Sequence, residues 1–224
     1  MSTEPRTRPG RATRARIVQA ATDLVGERGA ADTSLDDVRK RAHASKSQLY
    51  LYFDDRDALM RAVARATCEA VITNQADALA EFDSLAGIER YLDMTVADQV
   101  QKRARGCPIG SLVPQLAERD DDARVELADG YARWEQGLRD GLETMAARGE
   151  LRTDADPSLL AKQTLAALQG GLVLTQVRRD PEQLRAAAAA ALALVRAATT
   201  PDGAGSGGGG FQAAAGTGAS LGSA

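Results

Sequence analysis

The sequence predicts an all-α protein with a small N-terminal domain of three helices and a larger C-terminal helical domain. Aromatic residues make up only 4% of the chain, so the core must be built from Leu, Val and Ala, which favours packed helices. Apolar residues also recur in steps of three and four, most clearly at Leu127, Tyr131, Trp134, Leu138 and Leu142. A length of 224 residues is enough for two modest domains.

The N-terminus carries a local positive charge although the net charge of the chain is -3. Residues 1–12 are polar and contain Pro, and their arginines are opposed only by Glu4. We expect a flexible basic arm that touches DNA phosphates or the minor groove. A first helix is then expected from about residue 13 to 27, ended by Gly29.

Residues 34–53 contain two short helices separated by a tight turn. Ser34 with Asp37, and Ser45 with Gln48, have the spacing of capping boxes, so each helix has its own start signal. Leu35, Val38 and Ala42 form one apolar stripe, and Leu49 and Phe53 supply the other half of a shared core. The pattern is typical of a helix-turn-helix, whose second helix lies in the major groove of DNA.

This region resembles the DNA-binding domain of the TetR-type transcriptional regulators over about fifty residues, from Arg14 to about Ala66. The residues that match the family pattern are Ser34, Asp36, Asp37, Val38, Ala42, Ser45, Leu49, Tyr50, Tyr52 and Phe53. His43 stands where the family usually has Gly, and Ala44 where a larger aliphatic residue is common. His is one of the residues found at φ > 0, so the turn is retained. We therefore expect a DNA-binding domain at 13–58.

Eight residues are candidates for DNA contact. Gln48 can bind adenine bidentately, and Lys46 can meet a phosphate or guanine. Leu51 occupies a position where related proteins carry a base-contacting side chain; an aliphatic residue there touches a thymine methyl or nothing. The resemblance implies phosphate contacts for Tyr50 and Tyr52, with half-buried scaffold as the alternative for Tyr52. The full set is Ser45, Lys46, Ser47, Gln48, Tyr50, Leu51, Tyr52 and Arg56.

The resemblance implies that residues 59–200 form a ligand-binding and dimerisation domain. A long helix after Asp54 would join the two domains and relay ligand binding to the DNA-binding domain. The candidates for an effector pocket are Tyr91, Met94, Tyr131, Trp134 and Gln163. Plain core is the alternative for each of these residues. We expect an apolar or aromatic small molecule, oriented by a polar group such as Gln163.

The pair Gly170-Gly171 falls inside a predicted helix, where each Gly costs about 1 kcal/mol relative to Ala. A close contact with the small residues of the Ala-rich last helix would offset that cost; a kink or a pocket wall is the alternative. In the family the last two helices form a four-helix bundle between subunits. The resulting interface candidates are Gly170, Gly171, Leu184, Ala188, Ala191 and Val195.

Several classes of function are not favoured. His43 is the only histidine, and Cys68 and Cys107 fit neither a disulfide framework nor a zinc site, so we expect no cofactor and no metal. No nucleophile–base or paired-carboxylate site is visible, which argues against an enzyme. The sequence shows no export signal and no run long enough to span a membrane, so a cytoplasmic protein is expected. Residues 201–224 are rich in Gly, Ala and Ser and predict a disordered tail.

The sequence thus predicts a homodimeric, ligand-responsive transcriptional regulator. It would repress by binding a near-palindromic operator duplex and leave the DNA when an effector binds. The alternative is a helical small-molecule-binding or scaffold protein with a degenerate DNA-binding domain.

Overall fold

The computed structural model describes residue 5 and residues 7–201. Within these residues the regular structure is helical apart from one isolated bridge between Leu151 and Thr199, so the all-α prediction is confirmed. The helices are α1 (Arg8–Arg28), α2 (Leu35–Arg41), α3 (Lys46–Tyr52), α4 (Arg56–Ala80), α5 (Leu85–Gln101), α6 (Pro108–Leu112), α7 (Asp121–Ala147), α8 (Pro157–Arg178) and α9 (Glu182–Ala197). A π-helical turn, Val113–Ala117, follows α6 directly.

Helix α1 begins five residues earlier than the sequence suggested. The hydroxyl of Thr7 accepts a hydrogen bond from the amide of Gly10 at 3.2 Å, and Pro9 occupies the first turn, where its missing N–H costs nothing. Residues 8–12 are therefore helical, and the prediction of a flexible arm is wrong for them. Of the remaining arm positions, 1–4 and 6 lie outside the described residues, as does the tail from 202 to 224.

Helices α1, α2 and α3 share a small core. Ile17 of α1, Val38 of α2 and Leu49 of α3 are all at most 2% exposed, and Phe53 closes the cluster. The guanidinium of Arg14 lies 5.3 Å from the centre of the Phe53 ring, within the range of a cation–π contact. His43 adopts φ 47° in the turn, as the sequence predicted.

In the C-terminal domain, glycines allow α7 to lie very close to the preceding helices. A Cβ added at Gly130 would lie 2.3 Å from the sulfur of Cys68 on α4. One added at Gly141 would lie 2.2 Å from the backbone oxygen of Phe82, which follows α4. Helix α7 is thus held against α4 along much of its length, and α8 and α9 pack against each other beside it.

Candidate nucleic-acid interface and inner cavity

Helix α3 buries one face and exposes the other. Leu49 and Tyr52 are 2% and 8% exposed, and both belong to the core of the helix-turn-helix. The opposite face carries side chains that are open to solvent: Lys46, Ser47, Gln48, Tyr50 and Leu51. The structure therefore brings together on one surface most of the residues that the sequence selected for DNA contact.

Both capping boxes form as the sequence predicted. The hydroxyl of Ser45 accepts the amide N–H of Gln48 at 3.1 Å, and the side-chain oxygen of Gln48 accepts the amide N–H of Ser45 at 2.9 Å. The Ser45 hydroxyl is also 2.9 Å from the hydroxyl of Ser47. These bonds engage the hydroxyls of Ser45 and Ser47 and the side-chain oxygen of Gln48. The amide nitrogen Nε2 of Gln48 is therefore its main hydrogen-bonding group that is left for a contact with a base.

Tyr52 and Arg56 require correction as DNA contacts. Tyr52 is buried, and its hydroxyl lies 3.3 Å from the position that a Cβ on Gly10 would take. Arg56 donates to the backbone oxygens of Thr33, at 3.4 Å, and of Ala30. Because both side chains are engaged within the chain, we assign them to the support of the helix-turn-helix.

The positive charges of α2 are largely compensated, which the sequence did not reveal. Arg39 and Lys40 each lie 2.7 Å from a carboxylate oxygen of Asp36, and Arg41 pairs with Glu27 at 2.9 Å. Hydrogen bonds from Lys40 and Arg39 hold the pKa of Asp36 below its usual range. Lys46, at the start of α3, is exposed.

An inner cavity of about 270 Å³ lies among α4, α5, α7 and α8. Met94 and Trp134, two of the predicted ligand residues, line it, together with Thr67, Gln75 and Cys107. Asp98 and Lys102, also in its wall, form an ion pair at 2.8 Å. The cavity therefore combines apolar walls with one pair of opposite charges that compensate each other.

Tyr91 holds the indole of Trp134 in place rather than lining the cavity itself. The indole Nε1–H donates to the hydroxyl of Tyr91 at 2.7 Å, and that hydroxyl donates to Gln75 at 2.5 Å. Burial raises the pKa of Tyr91 well above its usual value. Tyr131 occupies a similar supporting position, since its hydroxyl donates to Gln169 at 3.2 Å.

Gln163 does not reach the cavity. It is exposed on α8, and the polar wall is supplied instead by residues such as Gln75 and Gln99. The side chain of Gln99 is only 3% exposed and binds Gly106 twice, accepting its N–H at 2.8 Å and donating to its oxygen at 3.2 Å. The sequence could not identify Gln99, because its partner is a backbone group in a turn of unpredictable shape.

The predicted interface residues of the last two helices are mostly core of the same chain. Leu184, Ala188, Ala191 and Val195 are at most 6% exposed, and a Cβ on Gly171 would lie 2.7 Å from that of Ala187. These predictions are wrong, because the buried side of α8 faces α9, and α9 is itself covered by α8 and α5 of the same chain. Gly170, by contrast, is exposed. The large apolar residues that are exposed on the two helices are Leu159, Val173, Leu174, Val177 and Leu194.

Two family models match the chain. Residues 17–63 match the one described as bacterial regulatory proteins, tetR family, and residues 84–191 match the one described as tetracyclin repressor-like, C-terminal domain. The chain belongs to the TetR family. It is therefore a DNA-binding transcriptional regulator rather than an enzyme, and the helix-turn-helix on α2 and α3 is the family's DNA-binding element.

Several relatives of this TetR-family chain are known. An HTH-type transcriptional regulator in the lacX 3' region of Lactococcus lactis is 28% identical over 188 residues, covering 76% of this chain and 86% of the relative. The HTH-type transcriptional repressor DhaR of Mycobacterium sp. (strain GP1) is 24% identical, with the same coverage of both chains. A TetR regulator from Chloroflexus aurantiacus has a similar fold, with a TM-score of 0.71 at 22% identity, over 86% of this chain and 98% of that one.

The described residues show neither a metal site nor a membrane-spanning helix. No group of three or more His, Cys, Asp or Glu side chains in residues 5 and 7–201 is arranged to hold a metal ion. Within the same residues no helix combines the length and the apolar character needed to cross a membrane.

Proposed function

We propose that this TetR-family regulator binds a near-palindromic operator as a homodimer, represses transcription there, and is released by a small, largely apolar effector. The observation that carries the proposal is the division of α3 into a buried and an exposed face. Leu49 fixes the helix to α1 and α2, while Lys46, Gln48 and Tyr50 remain open to a groove of DNA. Repression as the output is supported by the relative DhaR, which is a transcriptional repressor.

The outer face of α8 supports a homodimer. Six of its exposed residues follow one another in steps of four, three, four, three and four, which is the spacing of a seam between two packed helices. Gly170 lies near the middle of this seam, and a Cβ there would meet no atom within 4 Å in the subunit, so a partner helix can approach closely. The seam consists of Leu159, Gln163, Ala166, Gly170, Val173 and Val177.

The inner cavity supports an effector of modest size. Its volume of about 270 Å³ fits a small organic molecule, and Met94, Trp134 and Leu172 offer it apolar contact. Such a ligand can release DNA only if it binds the non-operator state more tightly than the operator-bound state. The cavity lies against α4, and Arg56 in the first turn of α4 is hydrogen-bonded to the loop of the helix-turn-helix. Helix α4 therefore connects the ligand cavity to the DNA-binding domain.

The test is selection of duplexes from a random pool by the full-length protein, followed by anisotropy titration of the selected site. We expect a two-fold-related sequence bound by two subunits, with an affinity that falls steeply as salt increases, because phosphate contacts release counterions. Lys46→Ala should weaken binding to every duplex, and Lys162→Ala, an exposed lysine on α8, is the matched control. Failure of the wild type to select any duplex would favour the scaffold alternative.

A further inference from the structure

A large apolar side chain, Leu51, lies at the centre of the exposed face of α3. Successive residues of an α-helix are turned by about 100°. Ser47 and Leu51 stand two positions before and two after the buried Leu49, so both lie on the side of the helix opposite the core. Leu51 is 62% exposed, more than any other large apolar side chain of the helix-turn-helix. A single exposed Leu is ordinary on a protein surface. Leu51 is of interest because it lies in the middle of the face of α3 that is proposed to contact DNA.

The groups that surround Leu51 offer few hydrogen bonds to a base. The hydroxyl of Ser47 is already 2.9 Å from that of Ser45, and the side-chain oxygen of Gln48 accepts the amide N–H of Ser45. Helix α3 has seven residues and is therefore about 10 Å long, less than the major-groove width of about 12 Å, so Ser47 and Leu51 both fit inside the groove. In that position Leu51 would be removed from water and would lie against the base edges.

We propose that Leu51 selects a thymine in each operator half-site by packing against its 5-methyl group. The thymine methyl is the apolar group that the four bases present in the major groove. Any other base edge opposite Leu51 would place a donor or acceptor against an aliphatic side chain, which leaves that polar group without a partner. The proposal rests on the proposed operator binding and names one determinant of its sequence.

The experiment replaces each thymine of the selected operator by uracil, one position at a time, which removes only the methyl group. At one position per half-site we expect the affinity of the wild type to fall about three- to fivefold, the effect of one buried methyl. Leu51→Ala should bind thymine and uracil at that position equally. Val100→Ala, which truncates a 53% exposed side chain on α5, should respond to uracil as the wild type does.

The outcomes separate this proposal from the function on which it rests. If the wild type selects an operator but tolerates uracil at every position, Leu51 does not read thymine, although operator binding stands. If uracil weakens the wild type and Leu51→Ala by the same factor, another side chain contacts the methyl. If the wild type selects no duplex, both proposals fail. Circular dichroism melting of Leu51→Ala should match the wild type, because the side chain is exposed in the free protein.

Discussion

The backbone amide of Ala30 donates a hydrogen bond to the side-chain oxygen of Gln115 at 2.6 Å, across 85 residues of sequence. Ala30 lies in the loop between α1 and α2, and its own oxygen accepts from Arg56 of α4. Gln115 lies in the π-helical turn, and its amide nitrogen donates to Ser111 at 2.6 Å. Gln115 thus connects the DNA-binding domain to the π-helical turn that follows α6 in the C-terminal domain.

Gln115→Ala should loosen this connection. The Ala30 amide would lose its partner, and we expect a loss of about 1 kcal/mol in the free energy of unfolding. Hydrogen exchange at the Ala30 amide should accelerate more than exchange in α7. Gln136→Ala, which truncates an exposed glutamine on α7, is the control. Unchanged exchange at Ala30 would show that the bond does not hold the loop.

Gln48→Glu separates the structural role of this residue from its DNA contact. Glutamate can accept the Ser45 amide as glutamine does, so the capping box and the thermal stability should be retained. Operator affinity should fall at least tenfold, because the Nε2 donor is lost and a negative charge is placed beside phosphates. Gln48→Ala removes the cap as well and should also lower the melting temperature. Tight operator binding by Gln48→Glu would place Gln48 outside the contact surface.

Val173→Asp should give monomers that remain folded. Val173 is 53% exposed in the subunit, so a carboxylate there is harmless until a second α8 covers it. Light scattering should report a dimer for the wild type and a monomer for the variant, and operator binding should be lost with the dimer. Gly171→Asp should behave differently, because it forces a side chain against Ala187 and unfolds the α8–α9 pair. A dimeric Val173→Asp protein would place the interface elsewhere.

The stability of the protein should decrease as pH rises above about 9. Burial raises the pKa of the Cys68 thiol from its ordinary value of 9.0 to about 11, so the folded state keeps a proton that the unfolded chain releases. This contribution is complete below pH 9 and is lost between pH 9 and 11, with a slope of at most about 1.4 kcal/mol per pH unit. Urea titrations at pH 8, 9 and 10 should show a shallower decline for Cys68→Ala than for the wild type. Parallel curves would mean that the thiol ionises normally in the folded state.

The helix-turn-helix could be predicted closely because its signals are local. Ser34, Asp37, Ser45 and Gln48 form their capping boxes with residues three positions away, so sequence spacing alone determines them. The start of α1 could not be predicted, because Pro9 and the neighbouring arginines are typical of a flexible basic arm. In the structure Thr7 caps the helix and Pro9 lies in its first turn.

The subunit interface could not be predicted from the last two helices in the same way. Leu184 and Ala188 on α9 are apolar, but so are exposed neighbours such as Ala189 and Leu194, so the pattern does not say which side faces α8. Gly170 and Gly171 are adjacent in sequence yet face different surroundings, one open to solvent and one packed against α9. Only the packing of the two helices resolves such choices, because small residues suit either kind of contact.

The length of helix α4 determines how far a small tilt at one end displaces the other end. Its 25 residues make a rod about 37 Å long, with cavity-lining residues such as Val71 and Asn74 in its far half and Arg56 at its near end. A tilt of about 5° about the far end would displace the near end by about 3 Å, as the length of the rod dictates. Arg56 is hydrogen-bonded to the loop between α1 and α2. A displacement of the near end of α4 would therefore move the helix-turn-helix, including α3, as a unit. A shift of this size exceeds what a hydrogen bond tolerates. A tilt that hardly changes the shape of the cavity would therefore suffice to move the two copies of α3 in a dimer out of register with the major groove.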